Sequence, residues 1–546
     1  MPGSGTGFST RYGLLAAASI GAMAEAALLA TLAPAARSLA PQVTALPPLS
    51  IFHDLRWLYA FGGPWPVFAL LVAVFLAARS GWNAVLARLA WPAGHQPPPM
   101  RTLMWSSLTL TAFAALILSP VVTIMFGVAV VPFSWPFLAS LAAMLLVAIP
   151  LSHGGLLSTW GQSLPPLTAI CWLLADFAVL SVAGGLIGDV PPLAAIPVAG
   201  VAGLVNARAW YGMTAAVVRP GVRTARHLPL AALAVVTTLA LVAGITWLGF
   251  LVGVRGSGFY RHPQLRPVTT RVAAAPHRVA GDLRGPPVLE IAGFGLSCCS
   301  RGGDLQRMLP HRLVQQFSYV GLTRSGLPVP HGPRSSDLPL AVLGNRVAAQ
   351  VWRLHEETGR RVDVVAESEG TLGVDAMLAQ HPDVPVGSVV LLSPIVTPAQ
   401  DGYASFGGTR LRPVAGSELR AVVWFVGGLS PFGTSGAGRF VNSVGSDGAR
   451  FAAAANPRLA NSLSFLPLAD AVAIPACRLL PNVQVVSAFH GELLGDPAVL
   501  AMVRKFLANR SLPAEPGLRR TAEMVAAAAT AWRIPETGYP SPPCRS

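Results

Sequence analysis

Charge is scarce in this chain. Of 546 residues only 12% are charged, against about 25% in an ordinary soluble domain, while 53% are hydrophobic and mean hydropathy is +0.55. So little charge excludes a wholly water-soluble protein and puts part of the chain in lipid. Lysine is nearly absent: Lys505 is the only one, and the formal charge of +15 comes from arginine. There is no basic run with interleaved aromatics, which excludes a nucleic-acid surface. The five cysteines show no metal-ligand spacing, and Cys298 and Cys299 are neighbours rather than the ends of a C-x-x-C. Neither metal nor cofactor is expected. Cys298, Cys299, Cys477 and Cys544 all follow the last apolar run, where they form disulfides outside the cytoplasm or stay as buried thiols within it.

The apolar excess lies before residue 254. A helix needs about 20 apolar residues to cross a bilayer. Runs at 14–33, 64–78, 104–131, 135–151, 167–187, 193–205 and 230–254 give an all-α membrane region of six or seven spans over residues 1–254. The run at 193–205 is short and flanked by prolines. Arg79, Arg88 and Arg101 lie between the second and third runs, and Arg208, Arg219, Arg223 and Arg226 between the sixth and seventh. With seven spans both loops share the side of Arg11, which makes that side cytoplasmic and the C-terminal half extracytoplasmic. Glu25 and Asp176 fall inside spans. The bland reading, a protonated or paired group inside the bundle, is preferred there to a proton or substrate path.

Residues 255–286 are arginine-rich, dotted with proline and aperiodic, and read as a linker. From 287 onwards short apolar runs alternate with helical spacing. Strands are expected at 287–292, 317–322, 362–365, 388–392, near 463 and at 482–487, and helices at 340–358, 371–379 and 497–507. That alternation implies a mostly parallel sheet covered by helices, an α/β domain over 287–512. Residues 396–461 break the rhythm with a Gly/Ser-rich stretch holding an apolar run at 421–426, read as a lid. Residues 513–546 read as a tail.

Within the α/β half, V-D-V-V-A-E-S-E-G-T-L-G (362–373) is a strand, a tight small-residue turn around Ser368, and a helix. A turn with small residues two before and two after a serine lets strand and helix nearly touch. Downstream, Asp470 in A-D-A-V-A-I-P and His490 in F-H-G-E-L-L-G each follow a strand. The order Ser368, Asp470, His490, each at the carboxyl end of a strand, brings all three to one edge of a parallel sheet. Asp401, Asp447 and Glu492 are rival acids that follow no strand.

These segments resemble the α/β-hydrolase superfamily, in particular bacterial lipase- and esterase-like members. The resemblance covers about half the chain, from 287 to 508, and none of the membrane half. A-G-F-G (292–295) is similar to the family's oxyanion loop, with Ala292 in place of the usual histidine. It implies a nucleophile Ser368, a base His490, an orienting Asp470, and oxyanion donors in the backbone N–H groups of Phe294 and Glu369. Glu367 and Glu369 flank the nucleophile, and a nearby carboxylate opposes a developing oxyanion unless it faces solvent or pairs with arginine. Both side chains are expected to diverge from Ser368. The resulting expectation is a serine esterase or lipase in the cell membrane, acting on a lipid or other acyl ester. Its rivals are acyl transfer on envelope lipids, an idle envelope scaffold, and a transporter with an accessory domain, which the sparse polar residues in the spans disfavour.

Overall fold

The computed structural model describes residues 6–60, 65–128, 167–218, 285–299, 303–395, 443–455, 462–468, 482–488, 490–511 and 518–532, with the single positions 440, 459, 470 and 535. The N-terminal half is helical: α1 (Thr6–Leu32), α2 (Leu49–Ala60), α3 (Trp65–Leu89), α4 (Met100–Val128), α5 (Leu167–Asp189) and α6 (Pro192–Val218). Among the described residues four helices, within α1, α3, α5 and α6, meet the length and apolarity of a membrane span, fewer than the six or seven expected. α4 covers the third expected run, while the fourth and seventh lie outside the described residues. Two boundaries also move. The second span continues to Leu89, and the short sixth run belongs to a 27-residue helix that tolerates Pro197 inside it.

The aromatic stretch from Trp57, the expected beginning of the second span, belongs instead to α2, which ends at Ala60. A 3₁₀ segment, Pro34–Thr44, follows α1 and turns back into the bundle. Backbone that is not α-helical within a bundle of apolar helices needs partners inside the protein. Asn206 Nδ2 donates to Pro41 O (2.8 Å), Trp210 Nε1 to Thr44 O (3.0 Å), and Leu46 N to Asp176 Oδ2 (2.8 Å). Asp176 thus caps a buried amide. Glu25 lies 3.0 Å from His53, so both acids inside the spans have partners.

The loop arginines need correcting. Arg79 is buried inside α3 and pairs with Asp54 at 2.6 Å. Arg208 lies within α6, over the rings of Trp172 and Tyr211. Arg11 still marks one end of the bundle, where it donates to the Tyr211 hydroxyl.

The C-terminal half is a six-stranded, all-parallel sheet in the order β2-β1-β3-β4-β5-β6. The strands are β1 (Val288–Ile291), β2 (Val314–Gln316), β3 (Val362–Glu367), β4 (Val386–Leu392), β5 (Leu463–Pro467) and β6 (Val483–Val486). The strand expected at 317–322 sits earlier, because Phe317 and Tyr319 leave the sheet to fill the core. Alternate residues serve opposite faces. Leu289, Ile291, Val364 and Ala366 pack under α8 (Leu340–Thr358) and α9 (Glu369–Gln380). Val288, Val365, Val390 and Leu392 pack against α7 (Asp304–Met308) and α11 (Pro497–Asn509). Apolar residues on both faces are what a doubly covered parallel sheet requires. The lid reading narrows: in α10 (Ala449–Ala455) Phe451 and Ala455 are core residues, while the run at 421–426 lies outside the described residues. The supposed tail contains α12 (Arg519–Thr530), which ends at a fully buried Trp532.

Glu290 of β1 is buried in this sheet. Burial, with the Glu367 charge nearby, pushes its carboxyl up to about 7. A carboxyl raised on folding adds stability below its unfolded value, and that stability is lost as pH rises through about 7. Glu290→Gln should therefore raise the melting temperature at pH 8 more than at pH 5, measured by thermal unfolding; an equal shift at both would deny the titration.

Candidate active site

The turn between β3 and α9 sets the geometry. Ser368 adopts φ 53° and ψ −118°, a left-handed conformation costing a non-glycine residue about 1–3 kcal/mol. It holds because its neighbours leave no room for another path. A Cβ on Gly370 would lie 2.9 Å from Ile291 O, and one on Gly293 would lie 3.1 Å from Ser368 Cβ. Ser368 N donates to Leu392 O (3.0 Å), tying the turn to the end of β4.

All three sequence-derived residues converge there. Ser368 Oγ lies 2.7 Å from His490 Nε2, and His490 Nδ1 lies 2.9 Å from both oxygens of Asp470. They come from the ends of β3, β6 and β5. Asp470 is 3% exposed, which shields its charge from water and aims it at the imidazole. Burial alone would lower the His490 pKa, but the hydrogen bond and charge of Asp470, with Glu367 behind it, raise it above the ordinary imidazole value. With Nδ1–H donated to Asp470, Nε2 is left to accept the serine proton. That arrangement can activate a hydroxyl as a nucleophile.

The expected oxyanion donors flank the serine. Phe294 follows Gly293 directly, and Glu369 opens α9, where the first helical N–H groups lack partners within the helix. Gly295 N is already taken by Ser336 Oγ (3.0 Å), which is consistent with Phe294 as the expected donor from that loop. Tyr319 Oη donates to Ala292 O (2.7 Å) and fixes the base of the loop. The Phe294 ring stacks on Phe440 at 5.6 Å. Cys298 and Cys299, just beyond, are disulfide-bonded to each other, while Cys171 is free and exposed.

The two flanking glutamates behave otherwise than expected. Neither reaches solvent, and among the described residues neither is paired with an arginine: each is 1% exposed. Burial raises the Glu369 carboxyl well above its ordinary range, with Asp337 adding to the effect, which favours the neutral acid. Glu367 turns to the histidine loop, where Oε1 accepts from Leu493 N (2.8 Å) and Leu494 N (3.4 Å). Its carboxyl is pushed up to about 7 by burial. The sequence missed this role, as it missed Tyr319 and Ser336. Two acids flanking a serine in a small-residue turn were the available signal, since no charged side chain there has space to reach water. Of the rival acids, Asp447 pairs with Arg450 and Asp401 lies outside the described residues.

Among the described residues no group of three or more His, Cys, Asp or Glu is placed to hold a metal ion. In comparisons with known proteins, no family model and no curated protein matches this chain.

Glu367 links the pH response to the geometry. Glu367→Gln keeps an oxygen for the Leu493 and Leu494 amides and removes the charge. The acid limb of kcat/KM, set by His490 losing its proton above the ordinary imidazole value, should then move to lower pH with kcat little changed. Glu367→Ala frees the loop and should lower kcat up to about 100-fold, the cost of a misplacement of about 1 Å. Identical pH profiles in wild type and the Gln variant would remove the electrostatic part.

Proposed function

We propose that this chain is a membrane-anchored serine hydrolase of the α/β-hydrolase type that cleaves acyl esters through an acyl-enzyme. The observation that carries the reading is the relay Ser368–His490–Asp470 on three strand ends, with the serine in strained backbone. Strain of that kind persists where it is used, which favours an active site over an idle scaffold. In the proposed reaction His490 takes the Ser368 proton as Oγ attacks the ester carbonyl. Phe294 N–H and Glu369 N–H hold the oxyanion, and His490 returns the proton to the leaving alcohol. Water activated by the same histidine then releases the acid.

The proposal extends to location: the cell membrane, with seven spans and the catalytic half outside. Supporting it, the Arg11 end of α1 meets Tyr211 and the C-terminal end of α3, where Gly13 faces Leu89. Arg88, Arg101 and Arg208 belong to that same end, and an arginine-rich end is the cytoplasmic one. α12 docks at the other end, beside Gly184 and Gly188 of α5. α4 runs toward the α12 end, α5 starts from the arginine end, and α6 returns to it. Seven spans let the chain connect these ends. A fluorescent reporter fused after Ser546 that works only in the cytoplasm should stay dark, and a phosphatase there should be active; the opposite pair of results would reverse the orientation.

The chemistry is tested with a fluorophosphonate probe and p-nitrophenyl butyrate on the full chain in detergent. Ser368→Ala should abolish labelling and hydrolysis. His490→Ala should be about as damaging, and the double variant scarcely worse than Ser368→Ala, because the members act as one unit. Asp470→Asn should lose up to about 10⁴ in kcat. A folded Ser368→Ala protein with undiminished hydrolysis sinks the reading.

A further inference from the structure

The membrane half and the catalytic half meet through α12. Near its start, Ala522 packs on Leu466 of β5 and Val485 of β6, the strands that lead to Asp470 and His490. Its far end is sunk in the bundle. Trp532 is fully buried, stacked on Phe177 at 4.6 Å, and its Nε1 donates to Ser181 Oγ (2.9 Å). The last carbonyls of α12 find donors from the membrane half: Ser38 Oγ to Thr530 O (3.0 Å), Arg56 Nη1 to Ala531 O (3.3 Å), and Gln42 Nε2 to Ala531 O. Arg56 is fully buried, and its cation faces the negative end of the helix dipole.

A linker alone would tether the catalytic half. A buried tryptophan and a buried arginine at the terminus of one helix instead fix its distance and orientation. From Ala522 to Ala531 the helix advances about 14 Å, so the strands carrying the acid and base stand within one short helix of the bundle end. An ester dissolved in water arrives from any direction and gains nothing from that fixed height. An ester held in the bilayer gains a great deal, because its carbonyl rises only a limited distance while its acyl chains stay in lipid.

We propose, resting on the hydrolase reading above, that α12 and Trp532 form a strut by which the bundle holds the catalytic sheet at the membrane face, and that the substrate is an acyl ester resident in the bilayer. The full chain is reconstituted in phosphatidylcholine vesicles and given two esters: p-nitrophenyl butyrate in the water and dipalmitoylglycerol in the vesicles. Trp532→Ala should lower turnover of the vesicle ester at least about tenfold, since a loosened link lowers effective concentration at the surface, and leave butyrate within about twofold.

Rescue supplies the second arm. A Cβ on Gly188 would lie 3.7 Å from Thr530 Oγ1, close enough for the pair Gly188→Cys/Thr530→Cys to form a disulfide. In the Trp532→Ala background, with Cys171→Ser, oxidation of that pair should restore vesicle-ester turnover and reduction should remove it. Gly188→Cys alone, treated identically, should not respond. Equal loss on both esters, no loss on either, or failure of the pair to cross-link each overturns the strut. Ser368→Ala keeps the two readings apart: if it spares either ester the hydrolase reading fails, and if it abolishes both while Trp532→Ala spares the vesicle ester, only the strut fails.

Discussion

The contact between Gly370 and the Ile291 carbonyl is the constraint on which the site depends. It brings the start of α9 against the end of β1 so closely that a methyl group would sit at 2.9 Å. Ser368 is thereby driven to positive φ, its hydroxyl is lifted off the sheet edge, and Phe294 and Glu369 are set on either side of it. The position of the Ser368 hydroxyl is therefore inherited from backbone packing. His490 and Asp470 have only to reach a point already fixed, and they do so from the ends of adjacent strands.

Closeness of that kind leaves Ser368 part-buried and seals the acids around it from water. Glu290 and Glu367 are both pushed up to about 7, and Glu369 is raised well above its ordinary range. As neutral acids they cost the fold little. Once ionised they oppose it, because the two carboxylates of Glu290 and Glu367 stand near each other in a medium that screens them poorly. The proposed reaction pulls the other way, since in it His490 would serve as a base only after losing its proton, at a pH above the ordinary imidazole value. Rising pH would thus free the imidazole while it ionises the acids beneath it. Glu367 belongs to both processes, since its anion also raises the His490 pKa. Its bonds to Leu493 and Leu494 persist in either state through a single oxygen.

The sheet and the triad were legible in the sequence because both are local patterns repeated in order. Apolar runs of strand length, each ending in a small or chemically distinctive residue, give Ser368, Asp470 and His490 without knowledge of any contact. What stayed hidden was decided by partners far along the chain. Residues 34–60 and 518–532 have weak patterns by themselves, because each is short and mixes buried apolar residues with buried polar groups that only the other satisfies: Ser38 and Gln42 meet Thr530 and Ala531 across almost the whole chain. Arg79 looks like a loop arginine until Asp54 is placed beside it. Glu367 and Glu369 look like surface acids until the packing of β3 under α9 seals them in.

The same pairing explains why the bundle tolerates a segment that is not α-helical. Pro34–Thr44 exposes amides and carbonyls that lipid cannot satisfy, and Asn206, Trp210 and Asp176 answer some of them from inside the spans. Its Ser38 and Gln42 side chains then point to the carbonyls that end α12, which face the same problem from the other half of the chain. Two stretches of backbone, each short of partners alone, complete one another. Neither half therefore reaches its full set of hydrogen bonds without the other. That mutual dependence makes α12 a shared part of both halves, and it couples the strands that lead to Asp470 and His490 to the apolar helices of the N-terminal half.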